Sequence, residues 1–379
     1  MKNLGIYVHI PFCKKKCEYC DFISYSGIEE KADSYIRSLI QDIINSSNKV
    51  KDYEVDTIYF GGGTPSYIDS SLIVEVLNSI RENYNVLEDV EITLEVNPGT
   101  VNEEKLLSYK QAGINRLSIG LQSTNNRLLE LIGRIHNYNE FLETYKLARN
   151  VGFNNINVDL MLALPTQTLD EIIGSVREVI SLKPEHISLY SLILEEGTPL
   201  YTRVNSGELE LTDEKLERHM YWRTKQLLEQ AGYKHYEISN FAKKGFESKH
   251  NLNCWNQNEY LGFGIASHSY LENKRFSRIT NIDEYIKNIN ENNFDKNIII
   301  EETQDRETKA KEYMMLGFRK LDGISISEFE RKFEINPLFY FRFEISKLEE
   351  EDLIEVDLDD IKLTQKGLDL ANIVFEEFA

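Results

Sequence analysis

Cys13, Cys17 and Cys20 lie within eight residues of one another, with Lys14 to Lys16 between the first two and Tyr19 just before the third. Thiols this crowded are ligands for a soft metal or form a reactive or structural group. A structural zinc site would need a fourth ligand, usually from a second Cys or His pair close by, and the fourth cysteine, Cys254, is far along the chain. Three thiolates suit a [4Fe-4S] cluster in which one iron has no protein ligand and stays open to a substrate or cofactor. The alternative is a thiol group that carries no iron. Two disulfides would match the cysteine count but not the crowding, and thiols kept for metal require a reducing compartment, so a cytoplasmic location is expected.

The elements that must position these thiols follow from periodicity. Short β-rich runs at 5–9, 57–60, 91–96, 116–120, 155–160 and 186–190 alternate with amphipathic stretches at 31–44, 70–82, 102–112, 125–150 (two helices) and 169–181. Such alternation implies parallel strands with right-handed helical crossovers, in either an open doubly wound sheet or a full or partial barrel. The cysteines follow the first strand, Gly61 to Gly63 follow the second, and Glu95 ends the third. Gln122 follows the fourth, Asp159 closes the fifth and Tyr190 the sixth. Every one of these groups falls at a carboxyl end, the rim where βα architectures bind ligands, which argues for one shared site. Taken singly, Glu95 could be a solvated strand end and Asp159 a helix-capping carboxylate. Glycines at 61–63 would let backbone approach a ligand closely.

With 379 residues, more than one core is expected. The pattern changes after Tyr190, and again after the polar stretch 301–308, where three helices, a hairpin at 353–356 and 361–364 and a last helix at 366–378 suggest a winged-helix-like module. The expected division is therefore 1–190, 191–300 and 301–379. With 43 basic against 63 acidic residues the formal charge is -20, a field that repels phosphate backbones and anionic lipid. Nucleic acid is excluded as a default partner, which also counts against reading the last module as a DNA-binding regulator. No apolar run reaches the roughly 18 residues of a bilayer span.

The CxxxCxxC loop resembles that of the radical S-adenosylmethionine (SAM) superfamily. Tyr7-Val8-His9-Ile10-Pro11-Phe12 before Cys13, Gly61-Gly62-Gly63-Thr64-Pro65, Arg116 to Ser123, Gly133-Arg134-Ile135-His136 and Asp159-Leu160-Met161 extend the similarity. They resemble the branch that holds oxygen-independent coproporphyrinogen III oxidases and the HemW-type haem chaperones. The resemblance implies an α/β fold, a partial (β/α)6 barrel carrying an α+β extension and the C-terminal module. It implies that SAM chelates the open iron through its amine and carboxylate, with the segment Gly61 to Gly63 receiving the amino group and Gly62, Gly63 and Thr64 among the cofactor-binding residues. Tyr7, Glu95, Gln122, Arg134 and Asp159 match positions that hold the ribose, carboxylate and other polar parts of the nucleoside, and Tyr19 and Phe22 flank Cys20 among the cofactor-binding residues. Arg134 can pair bidentately with a carboxylate, and Glu95 or Asp159 can accept from hydroxyls.

Two members of that branch must be separated. In the oxidases the cluster motif continues to a further cysteine two residues past the third and a long segment precedes it. Here Asp21 and Phe22 follow Cys20, and 12 residues precede Cys13. Both features favour the chaperone type, which implies haem as cargo and haem-accepting proteins as partners, with oxidative decarboxylation of coproporphyrinogen III as the alternative. The chaperone signature His-Asn-x-x-Tyr-Trp reads here His250-Asn251-Leu252-Asn253-Cys254-Trp255, with Cys254 in place of tyrosine. His250 is the expected haem-iron ligand, imidazole being a common axial donor, against a hydrogen-bonded structural role. Cys254 is expected to be a small buried apolar residue, with thiolate ligation the alternative. Lys14 to Lys16 could greet an acidic, flavodoxin-like electron donor or form a solvated loop.

Overall fold

The six expected strands form, each longer than its apolar run, in a computed structural model that describes residues 1–379. They are β1 (Lys2–Ile10), β2 (Tyr53–Gly62), β3 (Val86–Val96), β4 (Arg116–Gln122), β5 (Ile156–Leu162) and β6 (His186–Ser191). The crossovers are α1 (Ala32–Ser46), α2 (Ser70–Asn83), α3 (Glu103–Gln111), the pair α4 (Asn126–Leu131) and α5 (Tyr138–Asn150), and α6 (Leu169–Leu182). All neighbours from β1 to β6 pair in parallel and in chain order.

Side-chain alternation decides how this sheet curves around its contents. On one face Ile6, Val8, Ile58, Phe60, Ile92, Leu94, Leu117, Ile119, Val158 and Ile187 join the core with the helices. The opposite face is polar. Gly5 pairs with Thr57 and Tyr7 with Tyr59, Thr93 with Arg116 and Glu95 with Ser118, and Asn157 with His186 and Asp159 with Ser188. Many of these polar side chains satisfy one another inside the barrel, while Thr93 Oγ1 and Arg116 Nε are left without partners. Asn157 Oδ1 takes His186 Nδ1 at 2.7 Å and Ser188 Oγ at 3.1 Å, while its amide donates to Ser118 Oγ at 2.8 Å and Asp159 Oδ1 at 2.7 Å. A fully polar interior would be costly without such pairing.

The segment beyond β6 supplies α7 (Pro199–Asn205), α8 (Glu214–Gln230), β7 (Lys234–Glu237), β8 (Asn240–Ala242), α9 (Lys249–Trp255), β9 (Tyr260–Phe263), β10 (His268–Leu271), β11 (Lys274–Arg278), α10 (Ile282–Asn290) and β12 (Ile298–Thr303). The expected extension joins the barrel's own sheet at both edges, giving 12 strands in the order β12-β11-β10-β9-β1-β2-β3-β4-β5-β6-β8-β7. One core runs from Leu4 to Ile289.

A separate core of 18 buried residues runs from Ala310 to Phe378. It is built by α11 (Arg306–Gly317), β13 (Ile324–Ser325), α12 (Ile326–Phe333), α13 (Pro337–Tyr340), α14 (Arg342–Glu350), the hairpin β14 (Ile354–Val356) and β15 (Asp360–Leu363), and two short helices, α15 (Gln365–Asp369) and α16 (Ala371–Glu376). The last two replace the single expected helix. The carbonyl and carboxylate of Asp369 both take the Arg218 guanidinium, and at Leu370 the backbone leaves helical geometry, with φ −118° and ψ 31°. This module docks where Ile238 N–H donates to Arg319 O at 3.0 Å and Leu321 N–H to Tyr236 O at 3.1 Å. No helix is long and apolar enough to cross a membrane.

A buried ion pair ties the extension to the first crossover helix. Arg278 of β11 is bidentate to Asp42 of α1, at 2.9 and 3.1 Å, and Tyr285 donates to the same carboxylate at 2.9 Å. Removing one partner strands a buried charge. Asp42→Ala is expected to lower stability against urea by about 3–5 kcal/mol, whereas Asp283→Ala, which breaks the exposed pair with Lys31, costs less than about 1 kcal/mol.

Candidate functional site

The loop after β1 is fastened before it reaches any ligand. Cys13 N–H donates to Tyr25 O at 2.8 Å and Tyr25 N–H to Pro11 O at 2.7 Å, closing the loop on itself. Gly63 and Thr64, at the end of β2, donate their N–H groups to Ile10 O and Phe12 O, each at 2.9 Å. Farther along, Glu18 N–H donates to Ile132 O at 3.0 Å, and Glu18 pairs with Arg203 of α7 at 2.5 Å. A side chain at position 63 would stand 2.9 Å from Phe12 O and 3.0 Å from Cys13 Sγ, so glycine is what lets the two loops touch.

The three thiols line one cavity of about 390 Å³ and do not close on a single point. Burial pushes the Cys13 thiol up and that of Cys20 to about 11, so in the bare site these thiols hold their protons and give them up on binding a positive metal centre. Thr64 Oγ–H donates to Cys13 Sγ at 3.7 Å and Arg134 Nη1 to Cys17 Sγ at 3.5 Å, so two of the sulfurs already face a donor.

The remaining wall comes from strand ends, and it brings together most of the residues expected from sequence. Tyr19, Phe22, Gly62, Gly63, Thr64, Glu95, Gln122, Arg134 and Asp159 line the same cavity as the cysteines. Arg134 sits between Gly120 O, at 2.6 Å, and Asn97 Oδ1, while its Nε is buried without a partner. Tyr59 Oη–H donates to Glu95 at 2.9 Å, yet burial still raises the Glu95 carboxyl to about 7. Burial also raises Asp159, against donation from Asn157. Gln122 follows a register shift in β4 and adopts φ 70°, turning the end of the strand into the cavity.

Two expected residues stand elsewhere. Tyr7 lies one row below the mouth, 3.2 Å from His9 Nδ1 through its hydroxyl and stacked on Tyr59 at 6.2 Å. His250 is not brought to either large cavity: its ring stacks on Tyr59 at 5.1 Å inside the barrel and its Nδ1 is 3.0 Å from Thr57 Oγ1. Glu91 accepts the first N–H groups of α9, from Lys249 at 3.2 Å and His250 at 3.1 Å. That anchorage turns His250 inward, while Asn251 and, one helical turn beyond Asn251, Cys254 and Trp255 face a second cavity. Burial holds the His250 ring near pKa 4, neutral, as suits an internal hydrogen-bonded histidine.

Tyr190, expected at the rim, also lines the cavity; lining residues not singled out from the sequence are Asn97, Ser118, Gly120 and Met161. Gly120 and Met161 sit two residues along a strand from Gln122 and Asp159, and Ser118 two farther back, so inward periodicity was the signal that could have found them. Asn97, in the turn after β3, carried none. Lys15 and Lys16 line the mouth, with Lys16 Nζ on Phe22 O at 2.8 Å.

The site fits an iron-sulfur cluster and SAM: three thiols, two of them facing hydrogen-bond donors, a glycine cradle beside them, and an unpartnered arginine nitrogen. An open barrel of parallel strands with thiols of this spacing at its mouth defines the radical SAM class of protein. The chain matches the Radical SAM superfamily over residues 7–179 and the HemN C-terminal domain over residues 304–370. It is 38% identical over 373 residues to the haem chaperone HemW of Bacillus subtilis, covering 98% of both chains. With that of Lactococcus lactis it shares 36% over 380 residues, 100% of this chain and 97% of the relative. Coproporphyrinogen III oxidase (HemN) from Escherichia coli, a solved structure, shares the fold at TM-score 0.87 and 23% identity, over 100% of this chain and 90% of that one. The chain belongs to the HemW family.

The raised Glu95 carboxyl makes a stability prediction with a definite sign. Because the folded state favours the protonated form, the cost of its charge is absent below about pH 4.5 and complete above about pH 7. Glu95→Gln is therefore expected to be more stable than the parent at pH 8 by about 1–3 kcal/mol and to match it at pH 4.5 in urea unfolding.

Proposed function

We propose that this chain is a haem chaperone that binds haem and hands it to haem-requiring proteins, working in the reducing cytoplasm with a [4Fe-4S] cluster and SAM at the mouth of its barrel. The observation that carries the reading is kinship along the whole chain, 98% of both partners, with a protein named for that role. Phe22 supports it from within the site, because it stands where the oxidases of this branch carry their further cysteine and here lines the cavity at 63% exposure.

Cys13, Cys17 and Cys20 would hold the cluster, which when bound supplies an open iron for SAM and a route for single electrons. Gly62, Gly63 and Thr64 line the cavity beside Cys13 and would receive the amino group of SAM. Glu95, Gln122 and Asp159 offer acceptors toward the ribose and Arg134 a cation toward the carboxylate. Tyr19, half-buried beside Arg134, and Phe22 at the rim exclude water on the loop side. Tyr7 acts at one remove, through its stacking on the Tyr59 ring that holds Glu95. Lys14, exposed, and Lys15 and Lys16 at the rim form a cationic edge suited to an acidic, flavodoxin-like electron donor.

Two assays on anaerobically prepared protein decide between chaperone and oxidase. The chaperone reading expects saturable haem binding and transfer of that haem to haem-free cytochromes, with no decarboxylated product from coproporphyrinogen III in the presence of SAM and reductant. Repeated turnover of coproporphyrinogen, or failure to bind haem, would overturn it.

A further inference from the structure

The second cavity, about 800 Å³, opens between β6, α8, the β7–β8 turn, α9 and the C-terminal helices α15 and α16. It is built by both cores and shares one wall residue, Tyr190, with the cluster cavity. Trp255 and Phe375 give it aromatic lining. The Arg319 guanidinium lies 4.3 Å over the Trp255 ring and 5.7 Å from that of Phe375. Leu189, Ile238 and Ile373 add apolar surface.

Arg319 is a cation without a matching anion. Its Nε is buried with no hydrogen-bond partner, and desolvation pulls its pKa below the usual arginine range despite the field of Glu237. Glu237 is 1% exposed and already accepts from Ser239 N–H at 3.2 Å and from the Asn240 amide. Burial brings Glu237 to about 7, so near neutral pH it carries only part of a charge. Asn240, 3% exposed and lining the same cavity, leaves its Oδ1 buried and unpartnered. Buried polar groups left open in this way are rare unless a ligand completes them.

We infer that this interdomain cleft is where a flat carboxylate-bearing macrocycle binds, its ring against Trp255 and Phe375 and one carboxylate on Arg319. Resting on the haem-chaperone reading, the inference identifies that macrocycle as haem, with Arg319 taking a propionate. The volume falls within the usual range for ligand cavities, and a guanidinium stacked on indole is preorganised for a planar carboxylate. Through Tyr190, which lines both cavities, the bound ring stands one side chain from the cluster cavity.

The test titrates the full-length protein with haem and with haem dimethyl ester, whose carboxylates are blocked. The parent is expected to bind haem more tightly than the ester. Arg319→Met is expected to weaken haem binding about tenfold or more while leaving the ester unchanged, and Arg319→Lys to fall between. Ile373→Trp, at a position 43% exposed and so tolerant of bulk, is expected to weaken both ligands by filling the cleft. Haem binding that is tight in the parent and unchanged in Arg319→Met and Ile373→Trp would overturn the cleft and leave the chaperone reading standing. A parent that binds no haem would overturn both.

Discussion

Backbone hydrogen bonds that pin the cysteine loop to the end of β2 are the constraint on which the site depends. Gly63 and Thr64 donate to Ile10 and Phe12 at 2.9 Å, and that closeness requires position 63 to lack a side chain. A free loop of a dozen residues would lose conformational entropy on closing around a cluster; here that loss is met on folding, by strand pairing that the rest of the barrel enforces. Arg203 and Ile132 hold the middle of the loop through Glu18, so α7, which lies outside the six βα units, takes part in placing the cysteines.

The barrel that enforces this pairing reverses the usual arrangement of a small parallel barrel, whose interior is filled by branched apolar side chains. Most of its apolar residues face the helices, with Val96 and Met161 at the mouth as exceptions, while Thr57, Glu91, Arg116, Asn157 and His186 face inward and are buried. An interior of this kind leaves an open, polar-lined mouth where a packed barrel would have a plug. It also carries raised carboxyls such as Glu95 and Asp159, a cost in stability located where a cofactor would bind.

Strand positions and their common carboxyl-end rim were legible because period-two alternation and turn glycines are local signals. What depended on distant partners was not. His250 reads as a haem ligand from its motif alone, and only the anchorage of α9 on Glu91 reveals that it faces the barrel interior. Asn97 enters the site through its contact with Arg134, 37 residues away. The break at Leu370 follows Asp369, which is held by Arg218, 151 residues upstream of it. The joining of the extension to both edges of one sheet is a matter of pairing between strands that carry no record of their partners. Cys254 reads as a small inert residue, and although it lines the interdomain cleft, burial pushes its thiol up to about 11 and keeps it protonated.

The central claim is that the three thiols carry a four-iron cube whose open corner faces the SAM cavity. Iron and acid-labile sulfide analysis of anaerobically reconstituted protein, joined to electron paramagnetic resonance of the reduced state with and without SAM, tests it most directly. The account predicts about four irons and about four sulfides per chain and a cluster signal that shifts when SAM is added. Zinc, iron without sulfide, or a cluster signal indifferent to SAM would contradict it.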